Sequence, residues 1–241
     1  MEVKSRELEF VTNSSEITTA LVPYQDISIY KSKVKRKFEK ITKRAVDILG
    51  GICGILLLIP LTLIIFVANL ISGDKGPLFY SQERIGKDGK KFKMYKFRSM
   101  VIGADEKLKK YLEENEEARL EYKKYKKMKD DPRVTKIGKF IRKTSLDEFP
   151  QFINVLKGDM SLVGPRPYLE REKEDMTYFY KYIVSCKPGV TGLWQVSGRS
   201  DVTFEDRMRM DMEYFRRNGL RVDVKILRKT VEKLLRKEGA V

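Results

Sequence analysis

The sequence predicts a mostly helical α+β protein that is monotopic, meaning that it enters and leaves the bilayer by the same face. We expect a proline-broken re-entrant membrane helix, a small β-hairpin and amphipathic helices at the membrane interface. This fold class follows from one uncharged apolar run, basic residues on both sides of it, and a polar remainder with helical patterning. Residues 1–30 are predicted to be a loose arm, 31–74 a basic approach helix and the membrane helix, and 75–241 one domain.

The membrane segment runs from Ile48 to Ile71 and contains no charged residue. About 20 apolar residues in a helix are enough to cross the hydrocarbon core of a bilayer. Basic clusters at 31–44 and 75–98 flank the segment, and positive residues beside a membrane segment mark its cytoplasmic side. Pro60, at the centre, lacks the N–H that a continuous helix needs. A hairpin that returns to the same face is therefore favoured, although a straight crossing stays open because spanning helices tolerate proline kinks.

The remainder is predicted to contain one hairpin and five helices. Leu78–Gln82 and Lys91–Phe97 alternate like strands on either side of the turn at 87–90. In the helix predicted at 145–158, the third of the five, Ser145 is expected to be the N-terminal cap and Gly158 to end the helix. The first helix is long and charged, with Glu106 and Lys110 expected to pair across one turn. The five helices are expected at 104–128, 136–143, 145–158, 203–218 and 223–237.

The composition excludes several kinds of chemistry. The chain has no histidine, which removes Ser-His-Asp and Cys-His nucleophiles, histidine-ligated zinc and imidazole acid–base catalysis. Cys53 and Cys186 do not form a C-x-x-C pair, so neither a thiolate metal site nor a structural disulfide is expected. The net charge of +16 calls for a polyanionic partner, which could be nucleic acid, an anionic bilayer surface or a phosphorylated substrate.

Asp147 and Glu148 are the candidate catalytic residues. Adjacent side chains on a helix point about 100° apart, so one carboxylate could attack while the other holds a cation. A carboxylate can act as a nucleophile toward phosphorus, and attack on an anionic phosphate needs Mg²⁺ and basic residues to offset repulsion. Acidic residues are also common in the first turn of a helix because they suit its dipole, and spacing alone favours that plainer explanation.

Two blocks rich in glycine and proline could bind anions. In the block at 158–167, Arg166 lies between two prolines, and a stiff backbone suits bidentate phosphate recognition, although an ordinary surface loop would look the same. The block at 187–199 has three glycines that let backbone N–H groups approach an anion. Its Trp194 could cover a base or lie at the membrane interface.

Five motifs in order carry a resemblance to a known family. They lie at 43–48, 95–100, 141–151, 158–167 and 187–199. From about Lys43 to its C-terminus the chain resembles the bacterial sugar transferases, which are the monotopic polyprenyl-phosphate phosphoglycosyl transferases that start capsule, exopolysaccharide and other glycan assembly. The residues before Ile48 are too few for the additional transmembrane helices of longer members, so none is expected.

The resemblance implies an enzyme with a two-step exchange. Asp147 would attack the β-phosphate of a UDP-sugar and release UMP, and polyprenyl (undecaprenyl) phosphate would then take the sugar phosphate from Asp147. Glu148 would bind Mg²⁺. The form of the last two motifs resembles enzymes that use glucose or galactose rather than acetamido sugars. Substrate-binding roles are implied for Lys96, Arg142, Arg166, Arg199, Asp211 and Asp223.

The resemblance also implies a location and partners. Residues 75–241 would be a catalytic domain on the cytoplasmic face of the bacterial inner membrane, in contact with anionic lipid and without nucleic acid, and a homodimer is left open. Two rival hypotheses are a basic nucleic-acid-binding protein and a non-enzymatic membrane adaptor. The first explains the charge but not the uncharged apolar segment. The second predicts that Asp147→Asn leaves function unchanged.

Overall fold

The computed structural model describes residues 33–197 and 202–236, with side chains from Phe38 onward. The predicted arm at 1–30 lies outside the described residues. The mostly helical α+β class is confirmed, with one long apolar helix and two small sheets. The elements in chain order are α1 Lys33–Ile71, β1 Phe79–Ile85, β2 Lys91–Phe97, α2 Ala104–Glu114, α3 Glu116–Tyr125, α4 Lys136–Lys143, α5 Gln151–Lys157, β3 Ser161–Val163, α6 Lys173–Met176, α7 Tyr180–Ile183, β4 Gly189–Thr191, α8 Leu193–Ser197, α9 Phe204–Arg217 and α10 Leu220–Arg236.

The predicted approach helix and membrane helix are one element, α1, which continues through Pro60. The proline thus does not divide the segment into two helices, and the re-entrant path stays a prediction. The part of α1 from Phe38 to Ile71 is long and apolar enough to cross a membrane. Many of its large apolar side chains are exposed, among them Leu56 and Ile71. Such an exposed apolar surface fits contact with lipid.

One side of α1 packs closely on the domain. A Cβ atom at Gly54 would lie 2.2 Å from the Phe152 ring, and one at Gly50 would lie 2.5 Å from Leu162. These glycines let the helix backbone approach α5 and β3. Further along, apolar residues of α1 on both sides of Pro60 join a cluster with β2 and α4, made of Leu58, Ile65, Phe97 and Ile141.

Buried polar contacts hold the N-terminal end of this apolar stretch. Lys43 Nζ lies 2.6 Å from Asp223 Oδ2 in α10. One turn later, the buried Asp47 carboxylate accepts hydrogen bonds from Ser161 Oγ and from the backbone N–H of Leu162, both at 2.9 Å. Because the Asp47 and Asp223 carboxylates are buried, these contacts fix α1 against β3 and α10.

The other end of α1 is also held. Asp74, just beyond the helix, accepts a hydrogen bond of 2.8 Å from an Arg98 amino group at the end of β2. The Arg98 side chain is itself buried, and its Nε donates to the carbonyl of Pro77. The apolar helix is therefore attached to the same domain at both ends.

The predicted hairpin is confirmed. Strands β1 and β2 are antiparallel, with Phe79 opposite Phe97 and Ile85 opposite Lys91. The first strand begins at Phe79 rather than Leu78 and ends at Ile85 rather than Gln82, so it is two residues longer than predicted. Asp88 and Gly89 take positive φ in the turn, a conformation that aspartate and glycine tolerate.

The single helix predicted at 104–128 is wrong, because the segment forms α2 and α3 with a break at Asn115. The Asn115 side chain accepts a hydrogen bond from the backbone N–H of Ala118, so it starts a new helix instead of continuing the old one. The ion pair on α2 is Lys110 with Glu114 rather than with Glu106. Leu108 and Ala118 pack between the two helices.

Strands β3 and β4 were not predicted. They are parallel and three residues long, and they pair Ser161 with Gly189 and Val163 with Thr191. Their pairing places the two glycine- and proline-rich blocks side by side. The helices α9 and α10 pack around them. The side chain of Thr203, where the fourth helix was predicted to begin, caps α9, and α10 begins at Leu220, three residues earlier than predicted.

Candidate active site

A cavity of about 520 Å³ lies between the hairpin strand β2, the α4–α5 connection and helices α8 to α10. Its lining residues divide into a polar set, in which six cations outnumber three anions, and an apolar set. The polar part is lined by Lys96, Lys126, Lys127, Asp131, Arg133, Arg142, Ser145, Asp147, Glu148, Thr191, Gln195, Arg207 and Thr230. The apolar part is lined by Met100, Met128, Phe149, Phe152, Leu162, Val190, Trp194, Leu227 and Leu234.

Asp147 and Glu148 lie on a short 3₁₀ turn, Leu146–Glu148, that precedes α5. Ser145 does not cap a helix as predicted. Its φ of 57° is left-handed, and it redirects the chain from α4 into the turn. The end of α5 at Gly158 is confirmed. Asp147 is buried, with 9% of its surface exposed, whereas Glu148 is more accessible.

Lys96 bridges the two carboxylates. Its Nζ on β2 lies 3.0 Å from Glu148 Oε1 and 3.6 Å from Asp147 Oδ2. Burial raises the pKa of Asp147, the charge of Lys96 lowers it, and neighbouring Glu148 raises it again. The site therefore holds a carboxylate that is poorly solvated and close to a cation.

Arg142 approaches the same carboxylate from the end of α4. Its Nε donates a hydrogen bond of 2.8 Å to Ser99 Oγ, which orients the guanidinium. Burial lowers the pKa of Arg142, and the charge of Asp147 opposes that effect. A second guanidinium, Arg133, is held in two hydrogen bonds by the Asp131 carboxylate. The fixed cations make this wall suited to phosphate oxygens.

Arg166 and Asp211 lie in a buried network and are not among the described residues that line the cavity. The Arg166 guanidinium donates to both Glu172 oxygens at 2.9 and 3.2 Å, and its backbone N–H donates to Asp211. Asp211 also accepts from the Tyr168 hydroxyl at 2.8 Å. Burial raises the pKa of Asp211 to about 7. Sequence reasoning did not identify Glu172, the partner that occupies Arg166.

Asp223 likewise has a partner within the chain. It pairs with Lys43, and the Tyr214 hydroxyl donates to its other oxygen at 2.7 Å. Arg199 lies outside the described residues. The predicted substrate-binding roles of these residues stay predictions. The structure brings Lys96 and Arg142 to the carboxylate pair. It also places Arg133 and Arg207, which no sequence motif had marked, in the wall of the same cavity.

The Glu148 carboxylate is suited to share a Mg²⁺ ion with a phosphorylated ligand. Mg²⁺ in such sites usually takes one or two protein carboxylates and completes its shell with phosphate oxygens and water. Glu148 is accessible from the cavity and Asp147 is next to it. Among the described residues, no three potential metal-ligating side chains cluster, which is the arrangement that an all-protein site would need.

These features define a class of protein: a domain that is clamped to a helix of membrane length and that carries a cationic cavity with a carboxylate pair, suited to phosphate-bearing ligands. The chain belongs to the bacterial sugar transferase family, whose model matches residues 38–237. That match covers the apolar helix and all parts of the cavity wall described above.

Individual relatives agree with this family. The chain is 48% identical over 199 residues to a UDP-galactose-lipid carrier transferase of Erwinia amylovora. The matched region covers 82% of this chain and 41% of the relative. It is 46% identical over 211 residues to an undecaprenyl-phosphate galactose phosphotransferase of Salmonella typhimurium, covering 87% and 44%. It therefore spans less than half the length of these relatives. The exopolysaccharide production protein ExoY of Sinorhizobium fredii is 40% identical over 200 residues, covering 83% and 88%.

Proposed function

We propose that this chain transfers a hexose 1-phosphate from a UDP-sugar to polyprenyl phosphate through a covalent intermediate on Asp147. The observation that carries the proposal is the buried Asp147 carboxylate at the wall of a large cavity, close to Lys96 and under the charge of Arg142. Two relatives have names that specify galactose and a lipid carrier or undecaprenyl phosphate. Galactose is therefore the first sugar to test and glucose the second.

In the first step, an Asp147 carboxylate oxygen attacks the β-phosphorus of the UDP-sugar. The bond from the β-phosphorus to the bridging oxygen breaks, and UMP leaves with that oxygen. In the second step, a phosphate oxygen of polyprenyl phosphate attacks the same phosphorus. The acyl phosphate bond breaks, which restores the Asp147 carboxylate and gives a polyprenyl diphosphate sugar.

The residues around Asp147 have separate tasks in this proposal. The charges of Lys96 and Arg142 oppose the effect of burial and so favour the ionised carboxylate, and they then face the phosphate that it carries. Glu148 would hold Mg²⁺, which when bound offsets the negative charge of the two phosphates. Burial of Asp147 keeps water away from the acyl phosphate, so that the lipid acceptor rather than hydrolysis resolves it.

The test is to incubate the purified chain with Mg²⁺ and UDP-galactose, without lipid, and to measure its intact mass. We expect a gain of one hexose phosphate and the release of UMP. Asp147→Asn should give neither product, and Asp105→Asn, at an exposed aspartate, should give both. If Asp147→Asn releases UMP undiminished and wild type carries no adduct, the covalent mechanism is wrong. UDP-glucose in a parallel reaction decides between the two sugars.

We also propose that α1 enters and leaves the bilayer on the cytoplasmic face. The support is that both ends of its apolar stretch are attached to the same domain, by Lys43 at one end and Asp74 at the other. A domain on one side of a membrane cannot hold both ends of a straight crossing. In a cysteine-free background, Lys40→Cys and Lys75→Cys should react with an impermeant reagent only when the cytoplasmic side is open. Labelling from opposite sides would instead mean a crossing helix.

A further inference from the structure

Two buried N–H donors at the cavity wall have no acceptor among the described residues. One is Nε1 of Trp194 on α8, and the other is Nε of Arg207 on α9. Both residues line the cavity. A buried donor without an acceptor costs free energy, so two of them beside one cavity indicate a place where a ligand supplies the acceptors.

Arg207 is fixed in place, which makes its free donor directional. The residue is only 3% exposed, and one amino group donates to the carbonyls of Tyr125 at 3.0 Å and Val202 at 3.2 Å. Its guanidinium carbon lies 5.3 Å from the centre of the Trp194 ring. The side chain is therefore held between the Trp194 ring and two carbonyls, and its Nε–H has no acceptor among the described residues.

Trp194 and Arg207 together form one corner of the cavity, and the chemistry of this corner determines which ligand groups can bind there. Indole and guanidinium nitrogens donate hydrogen bonds and accept none. The matching groups are acceptor oxygens, such as the carbonyls of a pyrimidine base or the oxygens of a phosphate. Lys126 lies on the same cavity wall, where its ammonium pairs with Asp175 at 2.7 Å. The aromatic surface of Trp194 also suits a planar base.

The position of the corner distinguishes the two substrates of the proposed reaction. The apolar helix α1 packs against Phe152 and Leu162 through Gly54 and Gly50, so the wall formed by α5 and β3 is the one next to the lipid-facing helix. Arg207, in contrast, is anchored to the carbonyls of Tyr125, at the C-terminal end of α3, and of Val202, away from α1 in the chain. This placement favours the nucleotide over the lipid phosphate.

We infer that Trp194 Nε1 and Arg207 Nε donate hydrogen bonds to the nucleotide part of the sugar donor and so orient its sugar phosphate toward Asp147. This inference rests on the proposed function. It assigns positioning residues that lie on different elements from the carboxylate pair. It also explains why two buried donors are left without protein acceptors in the described part of the chain.

Trp194 is the only tryptophan in the sequence, so its fluorescence reports directly on this corner. We expect UMP to change the emission of the full-length protein in detergent in a saturable way. In variants that lack the indole, the dissociation constant is measured by calorimetry instead of fluorescence. The probes are UMP, uridine, inorganic pyrophosphate and farnesyl phosphate.

Trp194→Phe keeps a ring and removes only the N–H donor. We expect it to raise the Kd for UMP about five- to tenfold, the effect of one buried hydrogen bond, with a Tm within about 4 °C of wild type. Arg207→Lys should weaken UMP binding at least as much. Arg209→Lys is the matched control, because Arg209 lies on the same helix and pairs with Glu205 on its exposed side.

The probes decide the outcome. If the variants lose affinity for uridine as they do for UMP, the two donors bind the base or ribose. If they lose affinity for pyrophosphate instead, the donors bind phosphate oxygens. Either result supports the inference. A UMP Kd within twofold of wild type in both variants overturns it, as does a loss confined to farnesyl phosphate. A large fall in Tm with unchanged UMP binding also overturns it, because Nε1 would then have a partner within the chain.

The mass assay separates this inference from the proposed function. If both hold, Trp194→Phe reaches the wild-type amount of adduct but needs more UDP-galactose to do so. If wild type binds UMP through this corner yet never forms an adduct, the proposed reaction fails and the nucleotide site stands.

Discussion

Replacing Lys43 by Met tests whether the start of the apolar helix is held by an ion pair to a buried carboxylate. Lys43 Nζ lies 2.6 Å from Asp223 Oδ2, and the side chains are 32% and 6% exposed, respectively. Lys43→Met keeps the length of the side chain and removes its charge. It leaves the Asp223 carboxylate buried, and its remaining donor among the described residues is the Tyr214 hydroxyl at 2.7 Å.

The magnitude follows from these exposures. Removing one partner of a fully buried pair costs about 3–5 kcal/mol. Because water reaches the Lys43 ammonium and Tyr214 still serves the carboxylate, we expect a loss of about 2–3 kcal/mol. For a chain of this size such a loss lowers Tm by about 5–10 °C. Burial already raises the pKa of Asp223 against the opposing charge of Lys43, which agrees with a carboxylate that depends on its cation.

Thermal unfolding by circular dichroism in detergent is the assay, with Asp223→Asn and the double variant completing the cycle. The double variant has no buried charge, and its amide oxygen still accepts from Tyr214, so we expect it to lose only about 1 kcal/mol. The reasoning is refuted if Lys43→Met costs less than about 0.5 kcal/mol, or if the double variant is no more stable than Lys43→Met alone.

Three further predictions concern the network behind the cavity, the helix contact and the carboxylate pair. Burial raises the pKa of Asp211 from 3.8 to about 7, so the folded state binds more protons than the unfolded state between these pH values. The free energy of unfolding of the wild type should therefore fall by up to about 4 kcal/mol as pH rises from about 4 to 7. The Tm of Asp211→Asn should depend less on pH. Gly54→Val would place side-chain atoms inside the Phe152 ring, so it should displace that ring from the cavity wall and lower adduct formation at least tenfold; wild-type rates in the mass assay would contradict the contact. Lys96→Met removes the cation beside Asp147 and should slow adduct formation about 100-fold in single-turnover measurements, and a change below threefold would count against its role.

Local features of the fold were predictable because neighbouring residues determine them. The hairpin follows from alternation around a turn, and α4 has the predicted bounds. The strands β3 and β4 could not be predicted, because a parallel pair of three-residue strands joins segments that are far apart in the chain. Asn115 shows a second limit: one amide side chain that accepts from Ala118 divides a segment whose composition predicts a single helix.

The candidate site was predictable to the extent that motifs mark it. The structure brings Lys96 and Arg142 to Asp147 and Glu148, although spacing alone had favoured a mere helix start. The partner of an arginine cannot be read from its neighbours in sequence. Arg166 had the pattern of a phosphate ligand, yet a buried Glu172 occupies its guanidinium. Arg207 lies in an ordinary charged helix, and only the three-dimensional arrangement reveals its unpaired nitrogen.

The attachment of α1 at both ends makes the helix and the domain one mechanical unit. A single attachment point would act as a swivel, and the cavity could then turn freely relative to the helix. With Lys43 and Asp74 both bound to the domain, a tilt or compression of the helix is transmitted to α5 through the tight contact of Gly54 with Phe152. Phe152 also lines the cavity. In the proposed membrane arrangement, we expect the thickness of the surrounding bilayer to alter the shape of the cavity through this contact.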